Sequence, residues 1–364
     1  MSKLFLVGDI GGTNTNLALA ESKSKGIKII QKARYATQQE TSLREPLLRF
    51  LQEAHALGLN RPIDYCCISG AGPVQPDESI QLTNAPWAIR ADEITRLIDA
   101  PTKLINDFTA LSYAITLLDY HDARQVTQLE HRDGSKYEPR LGIMLVIGAG
   151  TGLGVGLVNR DKDRIEAFPS EGGHSELPCY DALSQALFAW ISARCGYPAG
   201  AELAISGQGI SNIFEFLCSS SFRMDLLSSD YEAASKVFDS GLTSEAVEIL
   251  ACPRDEWPVR IATTSHRDPF CFLTMEIFVR LYALKAANLT SIMLPTGGVW
   301  LAGGISTKNE PWFLENHRFM RWFEKNYAIH IRQLLSSTPV FIVKNYDISL
   351  LGAAVAALQF SIYR

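Results

Sequence analysis

The segment Asp9-Ile10-Gly11-Gly12-Thr13-Asn14 joins a carboxylate, two adjacent glycines and a hydroxyl. Paired glycines let a backbone approach a ligand closely and aim N–H groups at it, which suits phosphate oxygens. Thr13 adds a hydroxyl donor, and the Asp9 carboxylate is able to hold Mg²⁺ through water. The same residues also describe a tight hairpin with an acidic group at its edge. Their spacing matches neither G-x-G-x-x-G nor G-x-x-x-x-G-K-[ST]. A second turn, Gly148-Ala149-Gly150-Thr151-Gly152-Leu153-Gly154, repeats the design. A dinucleotide fingerprint drawn from Gly148 puts Leu153 where a third glycine belongs, and a strand-like segment follows where that fingerprint needs a helix. Two such turns facing each other would clamp a polyphosphate from both sides.

Two further groups carry polar chemistry. Asn106-Asp107 stands between a short apolar run and a helical apolar series. A carboxylate there serves either as a base near a nucleophilic hydroxyl or as a helix N-cap. Glu171-Gly172-Gly173-His174 sets a carboxylate and an imidazole on a glycine turn. That pair suits adjacent sugar hydroxyls, which donate and accept. It also suits a metal, with His174 joined by Glu171 or Glu176.

These residues need elements to position them. Apolar runs at 4–7 and 17–20 flank the first glycine turn, and runs at 143–147 and 155–158 flank the second. Both read as strand, turn, strand. Gly11 and Gly150 lie too far apart for a solenoid repeat and at a distance that suits two halves of a duplicated fold. Residues 65–68 and 103–105 read as strands. Phe108, Leu111, Ile115 and Leu118 put one apolar stripe on a helix that starts near Asn106 or Asp107. Alternating strands and helices predict an α/β architecture. Beyond residue 160 the pattern is mainly helical, with helices expected over 181–195, 272–293 and 312–335. Residues 219–230 and 252–270 read as surface loops. A strand bounded by glycine pairs is expected over 297–305, another at 340–343, and an alanine-rich helix over 350–358.

The 364 residues suit two domains. A net charge of −5 argues against broad nucleic-acid binding. Seven cysteines, none in a C-x-x-C spacing, give little support to disulfide frameworks or zinc ribbons. The apolar run at 4–7 is too short for a signal peptide. The uncharged stretch 141–159 is long enough to test as a membrane span, but six glycines interrupt it and favour buried strands. A soluble, cytoplasmic protein without membrane or nucleic-acid partners is expected.

In five places the chain resembles the bacterial glucokinase family, and more broadly the sugar-kinase, Hsp70 and actin ATPase superfamily. The matching segments are "DIGGTNTNLALA" (9–20), "NDFTALSYAI" (106–115), "GAGTGLGVGLV" (148–158), "SEGGHSELP" (170–178) and "GGVWLAGGI" (297–305), in the family's order. The resemblance implies a two-domain ribonuclease H-like (actin-like ATPase) fold, with a small α/β domain of residues 1–108 plus 345–364 and a large α+β domain of 109–344 around a cleft. It implies ATP and Mg²⁺ as cofactors and glucose as substrate, with transfer to the sugar 6-hydroxyl feeding glycolysis. By the same match Asp107 is the base. Asn84, Asn106, Asp107, Glu171, His174 and Glu202 contact the sugar, and Gly72 and Pro73 lie beside it. Gly8, Asp9, Ile10, Gly11, Gly12, Thr13, Gly150, Thr151, Gly303 and Gly304 serve the nucleotide. Seen alone, Glu202 is an ordinary helix glutamate, Asn84 a turn residue, and Gly303-Gly304 a strand-end turn. In the related repressor–kinase–open-reading-frame group the histidine joins a cysteine-rich zinc cluster. Here Cys179 stands alone after His174, so direct sugar contact is expected instead. Other readings are a kinase for mannose, fructose or N-acetylglucosamine, a sugar-sensing regulator, and a chaperone-like ATPase. The regulator would want a DNA-binding extension or a missing base, and the chaperone a peptide-binding domain. A homodimer is compatible with the family, and the stretch 217–270 has no account in the sequence.

Overall fold

Strand β1 (Lys3–Ile10) is apolar without a break over residues 4–7 because both of its faces are covered. The computed structural model describes residues 2–23, 26–82, 85–162, 164–227, 231, 241–344 and 348–362. Alternation along β1 sends Leu4, Leu6 and Ile10 to one face, where they meet Leu47 and Phe50 of α1 (Arg44–Ala56) and Ile94 of α2 (Ala91–Ile98). Phe5 and Val7 point the other way. They meet Ala110 and Tyr113 of α3 (Asp107–Ile115) and the small residues Ala353, Ala354, Ala356 and Ala357 of the last helix, Ser349–Ile362.

Around β1 the sheet runs β3-β2-β1-β4-β7, with β2 (Asn14–Lys23), β3 (Gly26–Ala36), β4 (Tyr65–Gly70) and β7 (Thr102–Asn106). β1, β2 and β3 form an antiparallel meander, whereas β4 and β7 run parallel to β1. A small ribbon of β5 (Ser79–Gln81) and β6 (Ala88–Arg90) stands apart.

The second sheet runs β11-β10-β9-β12-β13-β8. Its strands are β8 (Val126–Gln128), β9 (Gly142–Ala149), β10 (Leu153–Arg160), β11 (Ile165–Ser170), β12 (Val299–Ala302) and β13 (Val340–Val343). β12 is parallel to both β9 and β13. The two sheets therefore share one plan: three strands in meander order, then two parallel strands on the other side of the first. The duplication expected from the recurring glycine turn is visible in this shared order. The uncharged stretch 141–159 is β9, a turn and β10, and among the described residues no helix is long and apolar enough to cross a membrane.

Two compact units divide the chain. One holds Met1–Asp119, Gly156–Pro169 and Asn345–Arg364, and the other holds Tyr120–Val155 and Ser170–Lys344. Helix α3 belongs to the first. The helix Pro269–Met293 is the spine of the second, buried on nearly every side, and its Tyr282 hydroxyl donates to the Ile147 carbonyl of β9 at 2.9 Å. Helices α4 (Ala182–Cys195) and α5 (Gly207–Cys218) belong to the same unit.

Two expectations need correction. Residues 252–270 are not merely loop: Trp257–Thr264 is helical, with Pro258 in its first turn, where a missing N–H costs nothing. A helix Ser244–Ala251 precedes it, capped by Thr243. The expected helix over 312–335 is broken into short pieces, because Asn316 and His317 adopt left-handed φ values of 53° and 50°. The strand expected between the glycine pairs of 297–305 is Val299–Ala302, and a short helix, Gly304–Lys308, follows it.

Candidate active site

In the first unit, three parallel strands finish together. Ile10 of β1 is in register with Gly70 of β4, and Gly70 with Asn106 of β7. Open α/β sheets bind ligands beyond such carboxyl ends. Asp9 is half-buried there and accepts from the Ser69 hydroxyl at 3.1 Å, which also reaches the Gly8 carbonyl at 3.0 Å. The 11–13 turn is tied from one side. Thr37 N–H reaches the Thr13 carbonyl at 3.0 Å, the Thr37 hydroxyl the Gly11 carbonyl at 2.8 Å, and the Gln38 amide the Gly12 carbonyl at 3.0 Å. Three carbonyl oxygens, which would repel an anion, are thereby held toward residues 37–38.

Asn106 is the N-cap of α3. Its Oδ1 accepts from Phe108 N–H at 2.8 Å and Thr109 N–H at 3.4 Å, while its Nδ2 donates to the Gly72 carbonyl at 3.2 Å. An amide has two donors and two lone pairs, and these contacts leave one N–H, which lies at the Asp107 carboxylate and favours its anion. The capping role that the sequence left between two residues thus belongs to Asn106. Asp107 is the first helical residue, with Oδ1 accepting from Phe108 N–H at 2.8 Å. Its side chain is reached by solvent, yet protein crowds the carboxyl, and this loss of hydration pushes its pKa above the ordinary aspartate value against the hydrogen bonds that favour the anion. Asn106→Ala is expected to cost ~1 kcal/mol as a lost cap. Asn106→Asp, which keeps an acceptor, should restore most of that in a denaturation midpoint.

In the second unit the 150–152 turn joins β9 to β10. The Glu202 carboxylate accepts Leu153 N–H at 2.8 Å, and Gly207 N–H reaches the Gly150 carbonyl at 2.8 Å. The single-turn helix Gly172–His174 packs onto the same place: a Cβ on Gly173 would stand 1.8 Å from the Leu153 carbonyl oxygen. His174 consequently lies between two carboxylates, with Nε2 3.7 Å from Glu171 and Nδ1 3.9 Å from Glu202. Glu171 and His174 are exposed and Glu202 is mostly covered, so three polar groups line up on one accessible surface. Among the described residues, no group of three or more His, Cys, Asp or Glu side chains is placed to hold a metal ion.

The nucleotide-side glycines differ in kind. Gly150 has open space where a Cβ would be and Gly11 has no contact closer than 3.6 Å, so the fold itself does not demand glycine at either position. Gly303 is demanded: its φ is +89° and a Cβ would lie 2.5 Å from the Ala149 carbonyl oxygen. It follows β12 at the level where Ala302 pairs with Gly148, and Gly304 opens a short helix. Asn84 lies outside the described residues. Sequence reasoning missed Ser69, Thr37 and Gln38. Ser69 had a signal, a serine next to the closing glycine of the otherwise largely apolar β4, whereas Thr37 and Gln38 had none.

A family model described as Glucokinase matches residues 6–360. The chain is 31% identical to the glucokinase of Nostoc punctiforme, over 98% of this chain and 99% of that one. It is 32% identical to the glucokinase of a Synechocystis species, over 98% of each. A glucokinase structure from an Antarctic psychrotroph superposes with a TM-score of 0.76 at 22% identity, covering 98% and 99% of the two chains. A Streptomyces griseus glucokinase of the ROK family, solved with glucose and AMPPNP, gives 0.56 at 17% identity, covering 98% and 99%. These likenesses show the sugar-kinase form of the actin-like ATPase fold.

Proposed function

The chain belongs to the glucokinase family and phosphorylates glucose at the expense of ATP, and we propose that Asp107 is the base of that reaction. The single observation that carries this is its place: first residue of α3, relieved of capping by Asn106, solvent-reached, and with a raised pKa. Asp107 takes the proton of the sugar 6-hydroxyl as that oxygen attacks the γ-phosphorus and the bond to the bridging oxygen of ADP breaks. A pKa nearer neutrality makes a carboxylate a better proton acceptor.

Asn106, Glu171, His174 and Glu202 hold the hydroxyls, and Asn84 is assigned with them by its sequence motif. The imidazole between two carboxylates offers one donor flanked by acceptors, which matches the alternating character of a sugar ring. Residues 8–13, with Gly150 and Thr151, hold the phosphates, and the open glycines give the phosphates room. Gly303 and Gly304 take the adenosine side. Asp9 fits Mg²⁺, because that ion binds through one or two carboxylates together with substrate phosphates. When bound, the ion offsets charge on the transferring phosphoryl group. A cytoplasmic location agrees with the cysteines, all seven of which are free thiols.

Coupled ADP release across a hexose panel tests the substrate. Glucose should give the highest kcat/KM, and a faster mannose, fructose or N-acetylglucosamine would replace it. His174→Ala is expected to raise the glucose KM ~10-fold, the worth of one or two hydrogen bonds to a substrate, with the ATP KM unchanged. A rise in the ATP KM alone would move His174 to the nucleotide side.

A further inference from the structure

Lys285 lies in the middle of the helix Pro269–Met293 and is only 4% exposed, among Leu281, Tyr282, Ala286 and Leu289 of the same buried helix. An apolar residue would fill such a position without desolvating an ammonium, which costs several kcal/mol unless its hydrogens are taken up. Burial pushes the Lys285 pKa below the ordinary lysine value, and only the Glu176 carboxylate opposes this. Its Nζ donates to the Ser175 hydroxyl and to the Glu176 carbonyl, the latter at 3.4 Å. Ser175 in turn donates to the Gly172 carbonyl at 2.6 Å, and its own carbonyl accepts Ala201 N–H at 2.8 Å. A continuous chain of hydrogen bonds thus runs from the spine helix to both ends of the Gly172–His174 turn and on to the segment that carries Glu202.

We propose that Lys285 is a positioning residue for the sugar: it clamps Ser175 and Glu176 from beneath and fixes the pitch at which Glu171 and His174 meet the hydroxyls. This rests on the reading of Glu171 and His174 as sugar contacts. The charge is spent on specificity of one loop conformation, since a leucine or methionine at 285 would pack there but leave Ser175 and the Glu176 carbonyl without their donor.

Three variants test it against His174→Ala: Lys285→Met, Ser175→Ala and the double mutant. Each single change is expected to raise the glucose KM ~10-fold, as for a lost charge-assisted hydrogen bond. The ATP KM should hold and kcat should fall much less. The double mutant should be no worse than Lys285→Met, because both changes cut one chain. Without sugar, amide hydrogen exchange over 172–176 should quicken in Lys285→Met. If His174→Ala raises the glucose KM while Lys285→Met and Ser175→Ala leave both KM and loop exchange at wild-type values, the clamp is wrong and the sugar loop stands. Glucose and ATP KM rising together in Lys285→Met would mean general damage and would also overturn the clamp. If His174→Ala leaves the glucose KM untouched, the loop reading falls and the clamp with it. Should Lys285→Met fail to fold, Ser175→Ala at its exposed position decides alone.

Discussion

Asp107→Ala should bind glucose and lose at least ~10²-fold in kcat, the lower end of what a positioned base contributes. The fold should survive, because Asn106 caps α3 through Phe108 and Thr109, so removing Asp107 leaves the cap in place. Asp107→Asn sharpens the test, keeping size and polarity but accepting no proton. The raised pKa of the folded state sets two signs. In the wild type, kcat/KM should fall on the acid side as the carboxyl takes its proton, at a pH above the ordinary aspartate range. That limb should be missing from the residual activity of Asp107→Asn. For stability the sign is reversed. A carboxyl whose pKa is higher folded than unfolded favours the folded chain while protonated, and this advantage is lost as pH rises through the folded value. At neutral pH the ionised group is a net cost, so Asp107→Asn should melt no lower than the wild type. A near-normal rate, or a loss of rate that simply follows a collapsed Tm, would sink the assignment.

What could be read from the sequence depended on how local the signal was. The two glycine turns were legible because each sits between short apolar runs a few residues long, and that grammar survives without any tertiary information. Their recurrence also pointed to the duplication now seen in the matching strand orders of the two sheets. Strand β3 escaped, since its residues carry Lys28, Lys32 and Arg34 on an edge whose faces are only partly covered. The helix Trp257–Thr264 buries few residues, so charge and proline dominated the pattern of 252–270 and imitated a loop, while Ser244–Ala251, with only Ala246 and Ile249 buried, lay in the stretch the sequence left without an account. Glu202 was invisible for a different reason. Its partner Leu153 lies 49 residues away, and only a family resemblance singled it out from other helix glutamates. Lys285 had a signal that went unused, a lysine set directly between Leu284 and Ala286 in an apolar helical stretch.

The last helix yields the second large effect, because its contact decides between two opposed rules. Gly352 lies inside Ser349–Ile362, where on propensity alone Gly→Ala is worth ~1 kcal/mol of added stability. The packing says otherwise. A Cβ on Gly352 would stand 1.8 Å from the Ala110 carbonyl oxygen of α3 and 3.0 Å from the Ala114 side chain. Neither neighbour is the flexible end of a long side chain, so the two helices must separate. Ala353, Ala354, Ala356 and Ala357, all fully buried, form the rest of a close-packed surface that opens with them. Overpacking of this kind costs ~1–3 kcal/mol, so Gly352→Ala should lower the denaturation midpoint despite its better helix propensity. The consequence reaches the chemistry through α3, which begins at Asp107 and is capped by Asn106. A displaced helix misplaces the base, and an error of ~1 Å in a reacting group can cost ~10²-fold in rate. kcat should therefore fall in Gly352→Ala with the glucose KM much less affected, the opposite split from His174→Ala. A more stable variant with unchanged kcat would show that α3 does not depend on this contact for its position.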